Sequence, residues 1–245
     1  MRVLRSGWGR ALILLMGFMS AAQLLPSDSR QIVTEERLKA PGWWPTKGEY
    51  ARSEYVGPEP CGECHIAQAE TWKTTPMARA GFATRDSEIL QRYRRLEFRR
   101  GLFAYRIEGS GETPTYTVTD GTKVSSQPLQ WAMGLGVLGQ TFVYEREGAY
   151  FESRVTYYSA VNRLDVTPGQ SGTFPSTSLA DAPGRLLYGA EAERCFACHT
   201  TAAFVENRLQ PSGLIAGVTC EACHGPGVRH IAAMKSGESV KGTIF

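Results

Sequence analysis

This chain of 245 residues has no cysteine to spare and very few histidines. Its six cysteines all lie in three short motifs, so none remains to build a separate disulfide framework. Of its four histidines, three close those same motifs and only His230 stands outside them. Beyond His230 there is no spare histidine for a catalytic centre elsewhere in the chain. Long apolar runs are also missing. The stretch from Ala11 extends to about fifteen residues even when carried to Leu25, short of the roughly 20 that span a bilayer. Strong charge of one sign is absent as well: 27 Lys and Arg stand against 24 Asp and Glu, for a formal net charge of +3. Three of those arginines, Arg2, Arg5 and Arg10, sit at the N-terminus, so the remainder is near neutral and carries no basic footprint for nucleic acid.

What is present is one pentapeptide pattern three times over. Cys61-Gly62-Glu63-Cys64-His65, Cys195-Phe196-Ala197-Cys198-His199 and Cys220-Glu221-Ala222-Cys223-His224 each read C-x-x-C-H. This is the attachment signal for a c-type haem. Two cysteines three apart share one side of a helical turn, so both thiols can add to the vinyl groups of a single haem. The following histidine is then the proximal ligand of the iron. A structural zinc site on paired C-x-x-C sequences, or a set of disulfides, is the competing reading. Neither accounts for the histidine after every pair. The expectation is three covalently bound haem c groups, held by Cys61, Cys64, Cys195, Cys198, Cys220 and Cys223, with His65, His199 and His224 on the irons. Three haems would add about −6 through their propionates and leave the loaded protein mildly acidic.

The distal ligands are scarcer. Met77, in Thr75-Pro76-Met77-Ala78-Arg79, offers a thioether, which raises the potential of an iron it ligates. His230 follows the sharp Gly225-Pro226-Gly227 turn, which is poorly suited to carrying the chain round its own haem. It is expected to serve a different haem from the one at His224. Met77, Met133 and Met234 are the methionines outside the N-terminal segment, and Met133 is expected in a core. Within the chain, at most one iron can carry two histidines.

The rest of the chain reads in blocks. Residues 1–22 have the positive start, apolar centre and small-residue end (Ser20-Ala21-Ala22) of a cleaved export signal, with a retained membrane anchor as the alternative. Residues 23–60 form a polar approach with Trp43 and Trp44. Residues 61–95 carry the first motif, on a helix expected from Cys61 to Trp72, and a second, charged helix expected from Arg85 to Arg95. Residues 96–166 hold neither cysteine nor histidine. There Phe103, Tyr105 and Ile107 alternate, as do Tyr116 and Val118, and Asp120-Gly121 and Glu147-Gly148 punctuate the strands. Residues 167–245 begin as a Pro-, Gly- and Ser-rich loop and end with the second and third motifs. These start only twenty-five residues apart, so their haems are expected to be neighbours. The fold class expected is α+β: short helices and loops packed around covalent haems, with an embedded antiparallel sheet.

These motifs resemble those of the multihaem c-type cytochromes related to the tetrahaem cytochrome of nitrifying bacteria. The resemblance rests on the first motif running into Trp72 and Thr75-Pro76-Met77-Ala78-Arg79, and on Tyr157-Tyr158 with Val166-Thr167-Pro168-Gly169. Its most specific part is Gly217-Val218-Thr219 leading into the third motif, then Gly225-Pro226-Gly227 and His230. It implies closely packed haems passing electrons outside the cytoplasm, in the periplasm or otherwise exported. Met77 is similar in position to a methionine or histidine of that family, and His230 matches the histidine after its turn. Relatives often carry a fourth motif, which this sequence does not show. The resulting expectation is an electron carrier rather than an enzyme. Its partners would be redox proteins, with a membrane complex or other multihaem cytochromes among the candidates and no nucleic acid. The alternatives are a haem enzyme acting on a small nitrogen, sulfur or oxygen species at an open iron, or a haem subunit of a larger membrane redox complex.

Overall fold

A computed structural model describes residues 50–109, 113–170, 176–205, 207–241 and 243–244. The expected export segment and the Trp43-Trp44 pair lie outside the described residues.

Strand alternation builds the middle of the chain. Strands β2 (Arg95–Arg100), β3 (Phe103–Glu108), β4 (Thr115–Thr119) and β5 (Val124–Pro128) form a four-stranded antiparallel meander. Along β3, Phe103, Tyr105 and Ile107 point inward while the residues between them stay partly exposed. Tyr116 and Val118 of β4 join them in the interior. The turn after β4 is held by Asp120, whose Oδ1 accepts the N–H groups of Thr122 and Lys123.

A second sheet has the order β1-β6-β7-β8-β10, from strands β1 (Gly81–Ala83), β6 (Trp131–Met133), β7 (Gln140–Arg146), β8 (Ala149–Tyr158) and β10 (Gly184–Leu186). Strand β9 (Arg163–Val166) pairs with β8 as well. The β7–β8 hairpin turns on Glu147 and Gly148, both at positive φ (55° and 77°), the geometry that matches the twist of the strands it joins. Two of these strands lie outside the expected 96–166 block: β1 comes from the segment after the first motif, and β10 from the segment before the second. Both are three residues long, too short for alternation to reveal.

The two faces of this second sheet bury different things. Phe142 and Tyr144 of β7 enter a core shared with Ile107, Tyr116 and Leu164. Val143, on the opposite face, joins Trp131, Met133, Leu187 and Phe196. Phe196 lies within the second C-x-x-C-H. Its ring meets that of Trp131 edge-on, with centroids 5.2 Å apart at 90°, a favoured aromatic arrangement. The sheet thus carries the second motif on its back. Met133 is core, as expected.

The helices are shorter than the sequence pattern predicts. The expected Cys61–Trp72 helix is two helices, α1 (Pro58–Cys64) and α2 (Ile66–Lys73), broken at His65 (φ −100°, ψ 53°). The break turns the histidine out of the helical register of its cysteines. The expected Arg85–Arg95 helix shrinks to a 3-10 turn at Thr84–Asp86 and α3 (Glu88–Arg92). Ser87 caps α3 by accepting the Leu90 N–H. Tyr93 is already extended, because Leu90 and Leu96 both enter the same core and β2 must begin at Arg95 to pair with β3.

Burial raises the phenols of this core. Tyr144 is pushed up to about 12, and Tyr116, wholly enclosed beside Tyr105 and Tyr144, well above its ordinary 10. The folded state therefore holds more protons than the unfolded chain above pH 10. The stability contributed by these phenols is complete below pH 10 and falls as pH rises towards 12. Far-UV circular dichroism across an alkaline titration should show loss of the β signal beginning above pH 10. A β signal unchanged beyond pH 12 would contradict this burial.

Candidate functional site

The three motifs share one local geometry. Each places its cysteines on the last turn of a short helix: α1 for the first, α4 (Glu191–His199) for the second, α5 (Cys220–His224) for the third. In each, the first cysteine is half-buried and the second exposed, and none of the six is paired in a disulfide. Among the described residues, no three or more His, Cys, Asp or Glu side chains converge as a metal cage. Each motif offers two thiols and one imidazole on one short helical turn. That is the donor set for covalent haem attachment, not for a four-ligand zinc ribbon.

The histidine of the second motif has its tautomer fixed by the fold. His199 Nδ1 lies 2.8 Å from the Ala80 carbonyl oxygen. A carbonyl can only accept, so Nδ1 carries the proton and Nε2 keeps the lone pair that a metal needs. Gly81 makes this approach possible. A Cβ there would come within 2.9 Å of His199 Cβ and of the His199 carbonyl oxygen.

The same short segment reaches the other motifs. It follows α2 directly through a 3-10 turn, Pro76–Arg79. The Met77 carbonyl accepts the Val218 N–H at 2.8 Å, and the Gly81 carbonyl accepts the Gly217 N–H at 2.8 Å. Gly217 takes φ +72°, and a side chain there would overlap the Ala78 carbonyl. Trp72 of α2 donates its Nε1–H to the Val218 carbonyl at 2.8 Å. Thr201, just after the second motif, donates to the Gly217 carbonyl and accepts from the Thr219 N–H, each at 2.9 Å. Residues 77–81 and 217–219 are thus a seam on which all three motifs are fastened.

The first and third motifs also touch through their side chains. The thiols of Cys61 and Cys220 are neighbours. Burial pushes the Cys61 thiol up to about 11, and Cys220 and Glu221 beside it add to the rise. Burial raises Cys195 as well, with Glu152 adding to it, and raises Cys198. A thiol so placed is a poor source of thiolate; a thioether carries no ionisable proton. The sequence spacing points to the second and third motifs as the neighbouring pair. In the fold the first motif, about 160 residues away along the chain, is the one in side-chain contact with the third.

His230 sits on α6 (Val228–Ser236), which starts immediately after the Gly225-Pro226-Gly227 turn. Its ring lies beside that of His65, with centroids 6.4 Å apart and planes inclined by 26°. His230 Nδ1 is 3.3 Å from Thr243 Oγ1, leaving Nε2 for another partner. Met234 is one helical turn further along the same side of α6 and is exposed. Met77, also about half exposed, carries its side chain away from the core while its backbone anchors the approach to the third motif. Ala80, Gly81 and Glu221 contact the motifs or their flanking segments at positions that the sequence pattern does not mark. Alanine and glycine have no donor groups, and Glu221 occupies one of the variable slots of C-x-x-C-H.

Replacing Gly81 with alanine should destabilise the protein by about 1–3 kcal/mol, through forced displacement of His199. Thermal unfolding of the haem-loaded protein should fall accordingly, and its Soret band should change. An unchanged melting temperature and spectrum would show that this approach is not needed.

Residues 181–225, from the loop before α4 to the end of the third motif, match the family described as Cytochrome c554 and c-prime. No curated protein matches the chain. Among solved structures, the outer cell wall cytochrome OcwA is similar over 76% of this chain, at 19% identity and a TM-score of 0.42. The chain spans about a third of that protein, 34% of its length. Among the described residues, no helix is long and apolar enough to cross a membrane.

Proposed function

We propose that the chain is an exported triheme c-type cytochrome that passes electrons between protein redox partners. The observation that carries this reading is the threefold recurrence of one attachment geometry, fastened to a common seam. Covalent haem supplies the one-electron chemistry. The chain's own work is to hold three attachment turns close together and to present a histidine at each.

His65, His199 and His224 are the proximal ligands in this reading, and His230 is the distal partner of His65. Two metal–nitrogen bonds of about 2 Å, plus half a ring on each side, come to about 6 Å. The 6.4 Å between the His65 and His230 centroids suits one iron held from both faces. Aromatic pairs also occur at such separations, but here one ring closes a C-x-x-C-H. The irons at His199 and His224 would then take their second ligand from another residue type. Met77, standing between the first motif and the approach to the third, is the thioether placed to serve one of them.

The N-terminal segment, with its positive start and short apolar centre, supports export to the periplasm or beyond, where its redox partners would be met. Other multihaem cytochromes and membrane redox complexes suit it as partners. Its balanced charge offers no electrostatic basis for nucleic acid binding.

A pyridine haemochrome assay on purified protein should give three haem c per chain. His230→Ala should keep all three and convert one of them to a form that binds carbon monoxide when reduced. Two haems or fewer in the wild type would refute the triheme reading. Unaltered carbon monoxide binding in His230→Ala would remove His230 from the iron. Rapid carbon monoxide binding by the wild type, with a high-spin ferric signal, would favour an enzyme with an open iron.

A further inference from the structure

We infer that Glu221 positions the first and third attachment turns against each other and sets the redox poise of the two groups they hold. The inference rests on the haem reading above and goes beyond it to one residue of this chain. Glu221 is fully buried, at 0% exposure. It lies in the third motif, directly after Cys220, but its carboxylate serves the first. Oε1 accepts the Val56 N–H at 2.9 Å and the Gly227 N–H at 2.7 Å, and Oε2 accepts the Gly57 N–H at 2.8 Å. Gly57 is the residue that caps α1, the helix bearing Cys61 and Cys64. Gly227 begins the turn into α6, the helix bearing His230. One side chain thus ties together the first attachment helix, the third attachment helix and the helix carrying the ring beside His65.

The fit is close. A Cβ at Gly227 would come within 2.9 Å of Val56 Cγ2 and 3.3 Å of Glu221 Oε1. All three partners are neutral donors, so the carboxylate has hydrogen bonds but no cation among them. A buried negative charge is costly to keep, and an apolar or amide side chain could hold the same loops together. What the carboxylate adds is its charge, next to the neighbouring thiols of Cys61 and Cys220. In a medium of low dielectric constant, a nearby negative charge favours the ferric state of an iron over the ferrous state. The groups at the first and third motifs feel it most. The second motif is fastened instead through Thr201 and Ala80 and shares none of the bonds made by the Glu221 carboxylate.

The test compares Glu221→Gln with Thr201→Val, which removes a buried tie without changing charge. Haem count, thermal unfolding and a spectroelectrochemical titration are measured on each loaded protein. Glu221→Gln should keep three haems and raise the ferrous-to-ferric ratio at fixed poise about tenfold for two of them. That is an upward shift of about 59 mV each, with the third haem unmoved. Thr201→Val should lower the melting temperature and leave all three potentials in place. A Glu221→Gln protein with a lower melting temperature and unmoved potentials would reduce Glu221 to a structural tie. Equal movement of all three potentials would mean a change of the whole fold. A wild-type count below three would overturn the triheme reading, whereas a count of three with unmoved potentials overturns this inference alone. Should Glu221→Gln fail to load haem, hydrogen exchange on the wild-type holoprotein decides. The amides of Val56, Gly57 and Gly227 should exchange at least about a hundredfold slower than in an unfolded chain, and free exchange would overturn the clamp.

Discussion

The carbonyl oxygen of Ala80 accepts two hydrogen bonds, from the Gly134 N–H at 2.6 Å and from His199 Nδ1–H at 2.8 Å. The first ties the segment to the β-rich middle of the chain, and the second orients the histidine of the second motif. Within three residues on either side, Met77 and Gly81 bond to the segment that leads to the third motif. The same segment continues directly from the helices of the first. A few backbone groups thus hold three attachment turns and a sheet in one arrangement. Small residues are required here because side chains at Gly81 and Gly217 would displace His199 and Ala78. The sheet gives this seam its rigidity: its large aromatic core supplies the stability that the short helices lack.

Much of this was legible in the residues, for reasons that can be named. The period of two at Phe103, Tyr105 and Ile107 was readable because one face of the meander is buried. The Glu147-Gly148 turn was readable because few residue pairs tolerate its backbone. The three C-x-x-C-H sequences identify themselves, since five consecutive residues carry the whole donor set. The helices were less legible. The apolar spacing through Ile66, Ala69 and Trp72 continues across His65, while the backbone does not. The charged run from Arg85 reads as helix by composition, but tertiary burial of Leu90 and Leu96 takes most of it into turn and strand. β1 and β10 are too short to show any period, yet they form the two ends of the second sheet, in the segments after the first motif and before the second.

The site itself was half visible. The sharp turn before His230 predicts that it serves a haem other than the one at His224, and in the fold its ring lies beside that of His65. Which histidine it would meet was not in the sequence, because the two are separated by almost the whole described chain. Glu221 gave no signal either: a charged residue in a variable slot looks like a solvated one, and only the fold shows it enclosed by three amides. The pattern has a physical basis. Donor atoms that act through neighbours in sequence are readable, whereas those that act through contacts closed by folding are not.

The most direct measurement is an experimental structure of the haem-loaded protein, with the iron positions located by anomalous scattering. Three irons are expected, one of them bonded to both His65 and His230, with Ala80 still accepting from His199. An iron at His65 carrying some other distal ligand, with His230 turned away, would contradict this arrangement.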